Sequence, residues 1–346
     1  MKDMLSVIVP VYNAVDTIER CIDSLLSQKI DSYEIICIDD GSTDQKTPAL
    51  LDQIAKRYPD RIQVFHTENR GVWNARKYGI SKANGNYIGF CDCDDSVHKD
   101  MYKTMFDTML RTDADMTICG YHRIDYETNK IFSTEMVGWK DILLPNEDNL
   151  AEYTIINTAL WNKIYKKSLL DKVIELDSPP RMGEDMMFLL SIYPYIQKIA
   201  FVDNPFYNYY VHKGSTMTSV TMDECNKMIS SFSQVAKQMK QQHFSKEWQE
   251  LVDIIAFIHI GISLPVSVSN NKKLCKAVQK LTNKELKANY GLWKHADLLK
   301  FRYLFRIDKR LLKVKVMQLV YRSGLFQVFL RLYAGMRNIL KIDVKW

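Results

Sequence analysis

The stretch SVIVPVYNAVDTIERCIDSLLSQ (6–28), followed by YEIICIDDGSTD (33–44), decides how the fold is read. LSVIV (5–9) is a run of mainly β-branched residues with no clean alternation, as expected of a parallel strand buried on both faces. After Pro10–Tyr12, Asn13 can cap a helix in which Asp16 and Glu19 sit in the first turns. Val15, Ile18, Ile22 and Leu25 then form one apolar stripe. YEIICI (33–38) repeats the strand pattern. Outward from there, the spacing predicts a helix over 47–57, a strand at IQVF (62–65) and a helix over about 72–83. Further strands are expected at YIGFC (87–91) and DMTIC (115–119). Strands alternating with helices imply an α/β fold with a doubly wound, right-handed, mainly parallel sheet. Residues 1–120 read as one nucleotide-type unit, and from 221 the sequence turns helical.

Composition bounds the rest. The chain has 346 residues, 47% hydrophobic and 25% charged, enough for about two domains with ample core. The most apolar stretch, LVDIIAFIHIGISLPVSV (251–268), carries Asp253, His259 and Pro265, which argues against a membrane span. Met1 leads almost at once into LSVIVP, too short a lead for a secretory signal. Seven cysteines without a CxxC pair point to reduced thiols in a cytoplasm. Charge is uneven. Residues 294–346 hold 13 Lys/Arg against 3 Asp/Glu, a local balance of +10 in a chain of net +6.

In an open α/β sheet, ligands bind beyond the carboxyl ends of the strands. Three clusters fall there: Pro10–Asn13, Asp39–Ser42 and Asp92–Asp95. An acidic residue after the second strand is placed to accept hydrogen bonds from a ribose or a base, although a plain acidic turn would look the same. The chain has no GxGxxG in its first turn and no GxxxxGK[ST], so no glycine-rich loop cradles phosphates. A bound diphosphate then needs another positive group. Asp92 and Asp94 supply one if they hold Mg²⁺ or Mn²⁺, hard ions that share their sphere with substrate phosphates. A D-x-D-D run alone is weak, since it also occurs in ordinary loops and calcium sites. Glu184 and Asp185 open an apolar helix, MMFLLSIY, where acidic residues commonly serve as caps and dipole partners.

The context adds more. SVIVPVYNAVDTIERCIDSLLSQ, YEIICIDDGSTD, ENRGVWNARKYGI, ANGNYIGFCDCDD, LWNKIYKKSLL and MGEDMMF occur in this order. Together, over about residues 4–218, they resemble the family 2 glycosyltransferases, whose GT-A fold serves mostly in building bacterial cell-surface glycans. The resemblance implies that Pro10, Tyr12, Asn13, Asp40 and Ser42 bind the uridine of a nucleotide-sugar and that Arg76 approaches the nucleotide. It implies that Asp92 contacts ribose or metal-bound phosphate and that Asp94 is the principal metal ligand. Asp185 becomes the catalytic base, with Glu184 beside it oriented toward the acceptor. Trp161, Asn162 and Lys163 match a family W-N-K, which turns Lys163 toward phosphate, with an ordinary surface lysine as the alternative. NPFYNYYVHKGSTMTS (204–219) resembles the family's closing loop, so His212, Lys213 and Ser215 are candidates for the diphosphate or the metal.

There are departures. Val72-Trp73-Asn74 replaces the family's small residues, with Trp73 expected in the core. Cys93 reads as a small loop filler, because two cysteines one residue apart with no histidine pair make a poor zinc site. Ser96-Val97-His98 stands where the family has an aromatic residue.

The expectation is therefore a GT-A catalytic domain over 1–220, with a nucleotide-sugar half (1–120) and an acceptor-side half (121–220). A helical, basic region follows over 221–346. The expected reaction is an inverting, Mn²⁺- or Mg²⁺-dependent transfer from a UDP-sugar to a glycan or lipid-linked saccharide. The tail 294–346 mixes Arg/Lys with Leu, Phe, Tyr and Trp, which suits an anionic membrane surface, and with it the inner face of the plasma membrane. A bundle or homodimer is the alternative, and no motif supports nucleic acid. Two other readings stand beside this one: a nucleotidyltransferase that makes nucleotide-sugars, which lacks its expected glycine-rich loop, and a non-catalytic nucleotide-sugar-binding scaffold.

Overall fold

The computed structural model describes residues 3–146, 149–212, 220–242, 245–301, 304 and 309–340, excepting the side chains of 309 and 334–340. The chain divides into two compact units. The first is Met1–Pro145, Thr158–Ile174 and Glu184–Lys213; the second is Asn146–Asn157, Glu175–Gly183 and Gly214–Trp346.

The first unit is a ten-stranded mixed sheet. Its strands are β1 (Leu5–Val11), β2 (Tyr33–Asp40), β3 (Ile62–Thr67), β4 (Tyr87–Phe90), β5 (Ser96–Val97), β6 (Met116–Asp125), β7 (Ile131–Glu135), β8 (Ile142–Leu143), β9 (Lys163–Lys166) and β10 (Ile199–Val211). The order is β3-β2-β1-β4-β9-β6-β10-β5, with β7 on β6 and β8 on β10. The pairs β3–β2–β1–β4 and β6–β10 are parallel, while β9 runs antiparallel to both neighbours, β4 and β6. The doubly wound, mainly parallel sheet expected from the sequence is present, with one reversed strand in its middle.

Every residue of β1 and β2 is buried, which is why neither strand alternates. Helices α1 (Ile18–Leu26), α2 (Lys46–Arg57) and α4 (Met101–Thr112) share one core with Val7, Val9, Ile35 and Cys37. Helix α1 buries Ile18, Cys21, Ile22 and Leu25, nearly the predicted stripe. Its cap position is Thr17, and Asn13 is used elsewhere. Helix α3 (Val72–Lys82) lies on the other face, so close that a Cβ on Gly79 would come within 2.4 Å of Ile8. Helix α6 (Glu184–Ile192), which follows the one-turn α5 (Lys167–Leu170), joins that face, its Phe188 edge-on to both Phe90 and Trp73 at 5.8 Å. Trp73 is thus core, as expected. The stretch 204–211, anticipated as part of a closing loop, belongs to β10, which runs parallel to β6 and shifts register around Pro205.

The second unit is helical. Its first long helix, Met222–Gln241, starts with a capping box in which Thr221 and Glu224 satisfy each other's backbone. Among the described residues one helix, Lys246–Ser267, is long and apolar enough to cross a membrane, and 83% of that window is buried inside the protein. Its Asp253 is buried and accepts from the Leu292 amide at 2.8 Å, with the Lys240 ammonium at 3.3 Å.

Candidate active site

The carboxyl ends of β1 and β2 present the first cluster. Pro10 is buried within β1, whereas Tyr12 is 47% exposed. Asn13 adopts a left-handed backbone (φ 49°). Its amide donates to Ser42 Oγ at 2.9 Å, and its Oδ1 accepts from the Thr43 and Asp44 amides at 2.8 and 3.2 Å. Asn13 is therefore the clasp between two loops rather than a helix cap. Gly41 also has positive φ (68°), and a Cβ there would meet the Asn69 amide at 2.6 Å. Asp40 accepts from the Arg70 and Gly71 amides, both at 2.8 Å. Asp39, buried, accepts from the Ser42 amide at 3.0 Å, and its Oδ2 lies 2.8 Å from His66 Nδ1, its register partner on β3. The other His66 nitrogen faces Asp52 at 3.2 Å. The Asp39 contact first, then Asp52, holds the imidazole above its ordinary pKa. A cavity of about 550 Å³ opens beside Asp40, lined also by Thr67, Glu68, Arg70, Asn74, Ala75, Lys77 and Tyr78.

Arg76 organises the second cluster. One turn into α3 and only 3% exposed, it donates from Nη1 to Asp185 Oδ1 at 2.5 Å and from Nη2 to Asp92 Oδ1 at 3.1 Å. Glu184 Oε1 stands 3.9 Å from Nη1. Burial works against this charge, but Asp185, Asp92 and Glu184 outweigh it and raise the guanidinium's pKa further. So one side chain of α3 ties the loop after β4, 16 residues on, to the first turn of α6, 109 residues on. Burial, then the field of Asp185, pushes the Glu184 carboxyl up to about 8. Burial also raises Asp185, with Arg76 pulling it back toward the ionised form. Carboxylates whose environments separate them in this way can divide the proton-holding and proton-taking roles.

Asp94 and Asp95 diverge. Asp95 is buried, accepting from Tyr207 Oη at 2.7 Å and the Tyr210 amide at 2.8 Å, so its role is to anchor the loop to β10. The Asp94 side chain is 46% exposed and faces His212 Nε2 at 3.8 Å. Burial and then Asp92 raise its pKa. Arg20, which the sequence reading passed over, holds the Asp94 carbonyl through Nη2 at 2.5 Å and packs its guanidinium 3.9 Å from the Tyr210 ring centre. The His212 ring lies 3.9 Å from that of Tyr126. Among the described residues no three His, Cys, Asp or Glu side chains converge as a complete ligand set. Asp94, half exposed with His212 opposite, leaves an open side where a cation would have to take most of its shell from water and phosphate oxygens. Burial pushes the Cys93 thiol far up, which disfavours a thiolate ligand. Lys213 and Ser215 lie outside the described residues.

Lys163 needs correction. It is fully buried in β9, donating to the Ala159 carbonyl at 2.5 Å and Asn162 Oδ1 at 2.9 Å. Burial lowers its pKa to about 7, against the field of Asp185. It is not a surface lysine; its amine braces the interior of the sheet. Trp161 stacks on Tyr207 at 4.1 Å, so the W-N-K segment backs the Asp95 anchor.

Residues 6–174 match the family model described as glycosyl transferase family 2. The chain is 27% identical over 280 residues to the uncharacterized glycosyltransferase EpsJ of Bacillus subtilis, a match that covers 80% of this chain and 76% of that protein. Its fold is similar to that of S. aureus TarS 1–349 in complex with UDP-GlcNAc, with TM-score 0.70 and 18% identity over 97% of this chain and 92% of that one. It is also similar to the mannosyltransferase PcManGT from Pyrobaculum calidifontis in complex with GDP-Man and Mn²⁺, with TM-score 0.52 and 15% identity over 99% and 89% of the two chains. Through residues 6–174 this chain belongs to glycosyl transferase family 2, and it is a glycosyltransferase of the GT-A fold.

Proposed function

We propose that the protein performs inverting transfer of a sugar from a UDP-sugar to a hydroxyl of a glycan or lipid-linked saccharide, in the assembly of bacterial surface polysaccharide. Residues 1–220 carry the catalysis, and the basic helical region 221–346 keeps the enzyme at the inner face of the plasma membrane. The observation that carries the reading is the Arg76 bridge, which brings Asp92 of the donor side and Asp185 of the acceptor side onto one guanidinium. The UDP-GlcNAc bound by TarS and the Mn²⁺ bound by PcManGT favour the same donor class and cation.

The roles follow from the chemistry. Tyr12, Asn13, Asp40 and Ser42 hold the nucleoside. Asp94, with His212 and the second oxygen of Asp92, would hold Mn²⁺ or Mg²⁺, which when bound neutralises charge on the leaving diphosphate as a Lewis acid. Asp185 takes the proton of the acceptor hydroxyl. The acceptor oxygen attacks the anomeric carbon from the face opposite the diphosphate, the bond to the diphosphate breaks, and UDP departs. An α-linked donor then gives a β-linked product. Arg76 pulls Asp185 toward the ionised form, while burial and the field of Asp185 favour the protonated form of Glu184, which spares the pair a second negative charge.

The test is nucleoside-diphosphate release from UDP-, GDP- and dTDP-sugars, with Mn²⁺ or EDTA, for wild type and Asp94→Ala. Cation-dependent UDP release from one donor, lost in the variant, is the expected result. Release that is indifferent to EDTA and to Asp94→Ala would remove the metal from the reading.

A further inference from the structure

The described chain exposes fourteen large apolar side chains, and five of them fall within residues 316–332. They are Val316 (54%), Leu319 (43%), Leu325 (56%), Val328 (50%) and Leu332 (63%). These residues lie on and between the helices Leu312–Arg322 and Phe326–Leu340. The opposite sides of the same helices are buried through Val314, Met317, Phe326, Leu330 and Tyr333, so each helix already has its core face. The outward apolar side chains are therefore surplus to folding. Lys313, Val316 and Leu319 recur at three-residue spacing along one flank, and Val328, Arg331 and Leu332 share another. Lys313, Arg322 and Arg331 are exposed beside them. From Lys309 to Leu340 there are seven Lys/Arg and no Asp or Glu.

The charge selects the occupant. A second copy of the same face would bring like charges together at close range. Single-stranded nucleic acid would want aromatic platforms, and the exposed large side chains here are aliphatic. An anionic bilayer satisfies both halves at once: phosphates for the basic rim, and the headgroup–acyl boundary for the aliphatic side chains. We propose that the face formed by Val316, Leu319, Leu325, Val328 and Leu332, rimmed by Lys313, Arg322 and Arg331, docks on an anionic phospholipid bilayer. It lies in the helical unit alone, and it deepens the membrane placement given above by naming the surface and the lipid charge it takes.

The experiment is flotation of the full chain with vesicles of phosphatidylcholine, alone or mixed with phosphatidylglycerol. The chain should float with the mixed vesicles only and be released by salt, as screening shortens the range of the attraction. Neutralising Lys313, Arg322 and Arg331 with glutamine should weaken binding about fivefold per residue, roughly a hundredfold together. Leu325→Ser with Leu332→Ser should weaken it without touching the charge. All five sites are exposed, so circular dichroism and vesicle-free UDP release should match wild type, which separates failure of this surface from failure of the catalytic reading. Equal binding to both vesicle types, or none to the anionic ones, overturns the proposal. So does a concentration-dependent dimer in solution that the serine variants disperse.

Discussion

Two acidic loops stand at the carboxyl edge of the same sheet, and their carboxylates are satisfied in opposite ways. In DDGSTD every oxygen of Asp39, Asp40 and Asp44 has a partner inside the chain: His66 and Ser42, Arg70 and Gly71, and both polar atoms of Thr47. That loop is a finished piece of architecture, shaped to offer a surface. In DCDD only Asp95 is closed off, by Tyr207 and Tyr210. Asp92 shares an arginine, and Asp94 stands half exposed with a histidine opposite. A cluster of carboxylates is therefore not one kind of signal. What separates the pre-shaped nucleoside loop from the open cation-facing loop is how many of their oxygens the fold has already claimed.

Arg76→Met is the most severe way to break this contrast, because it leaves three buried or half-buried carboxylates without their cation. Losing one partner of a buried ion pair costs about 3–5 kcal/mol, so the thermal midpoint should fall sharply and transfer should vanish with it. Asp94→Ala should behave differently, with transfer down by on the order of 10³ and an unchanged melting curve, since several kcal/mol of charge stabilisation are lost without any loss of packing. Asp95→Ala, one residue on, should reverse that pattern. It strands the Tyr207 hydroxyl and the Tyr210 amide and costs about 1–3 kcal/mol of stability, read by urea unfolding, with a smaller effect on the rate.

Asp40→Ala should raise the donor KM about tenfold while kcat changes little, because two stranded amides loosen the loop at a cost of about 1–3 kcal/mol. His66→Gln sharpens the comparison most finely. His66 is held above 6.5 in the folded protein, so its support for Asp39 is complete below that value and is lost as pH rises through the higher folded pKa. Wild-type donor KM should climb across that window, whereas the glutamine variant should show a flat profile. The imidazole side chain is 41% exposed, so solvent screening holds the effect to about twofold.

The parallel half of the fold was legible because β1, β2 and β4 are short apolar runs bounded by turn residues, with amphipathic segments between them. What escaped was everything whose partner lies far along the chain. β9 is four residues long and stands where LWNKIYKK gives no period. Half-exposed Tyr, Asn and Phe residues made 204–211 look like loop, although Pro205 and Tyr207–Val211 pair with β6. Lysine's preference for the surface hid the burial of Lys163, which only the sandwich between β4 and β6 reveals. Arg20 was one charged residue on a helix until its guanidinium met Asp94, 74 residues away. The acidic motifs announced themselves by residue type and spacing; the division between Asp94 and Asp95 was set by Tyr207, which no local pattern connects to them.

The reversed strand also imposes an order on biosynthesis. β9 sits between β4 and β6, yet it is translated after both. A chain that has emerged from the ribosome as far as Thr112 can close the β3-β2-β1-β4 half, with Arg76 already against Asp92, but β4 keeps an open edge. Another 54 residues must follow before Lys166 appears, roughly 3–10 seconds at ordinary elongation rates. During that interval the exposed edge of β4 is a template for another nascent chain. Premature stops before residue 163 should therefore yield insoluble fragments rather than small folded proteins, and Asp185 can join Arg76 only after β9 has been made, with β10 still to come.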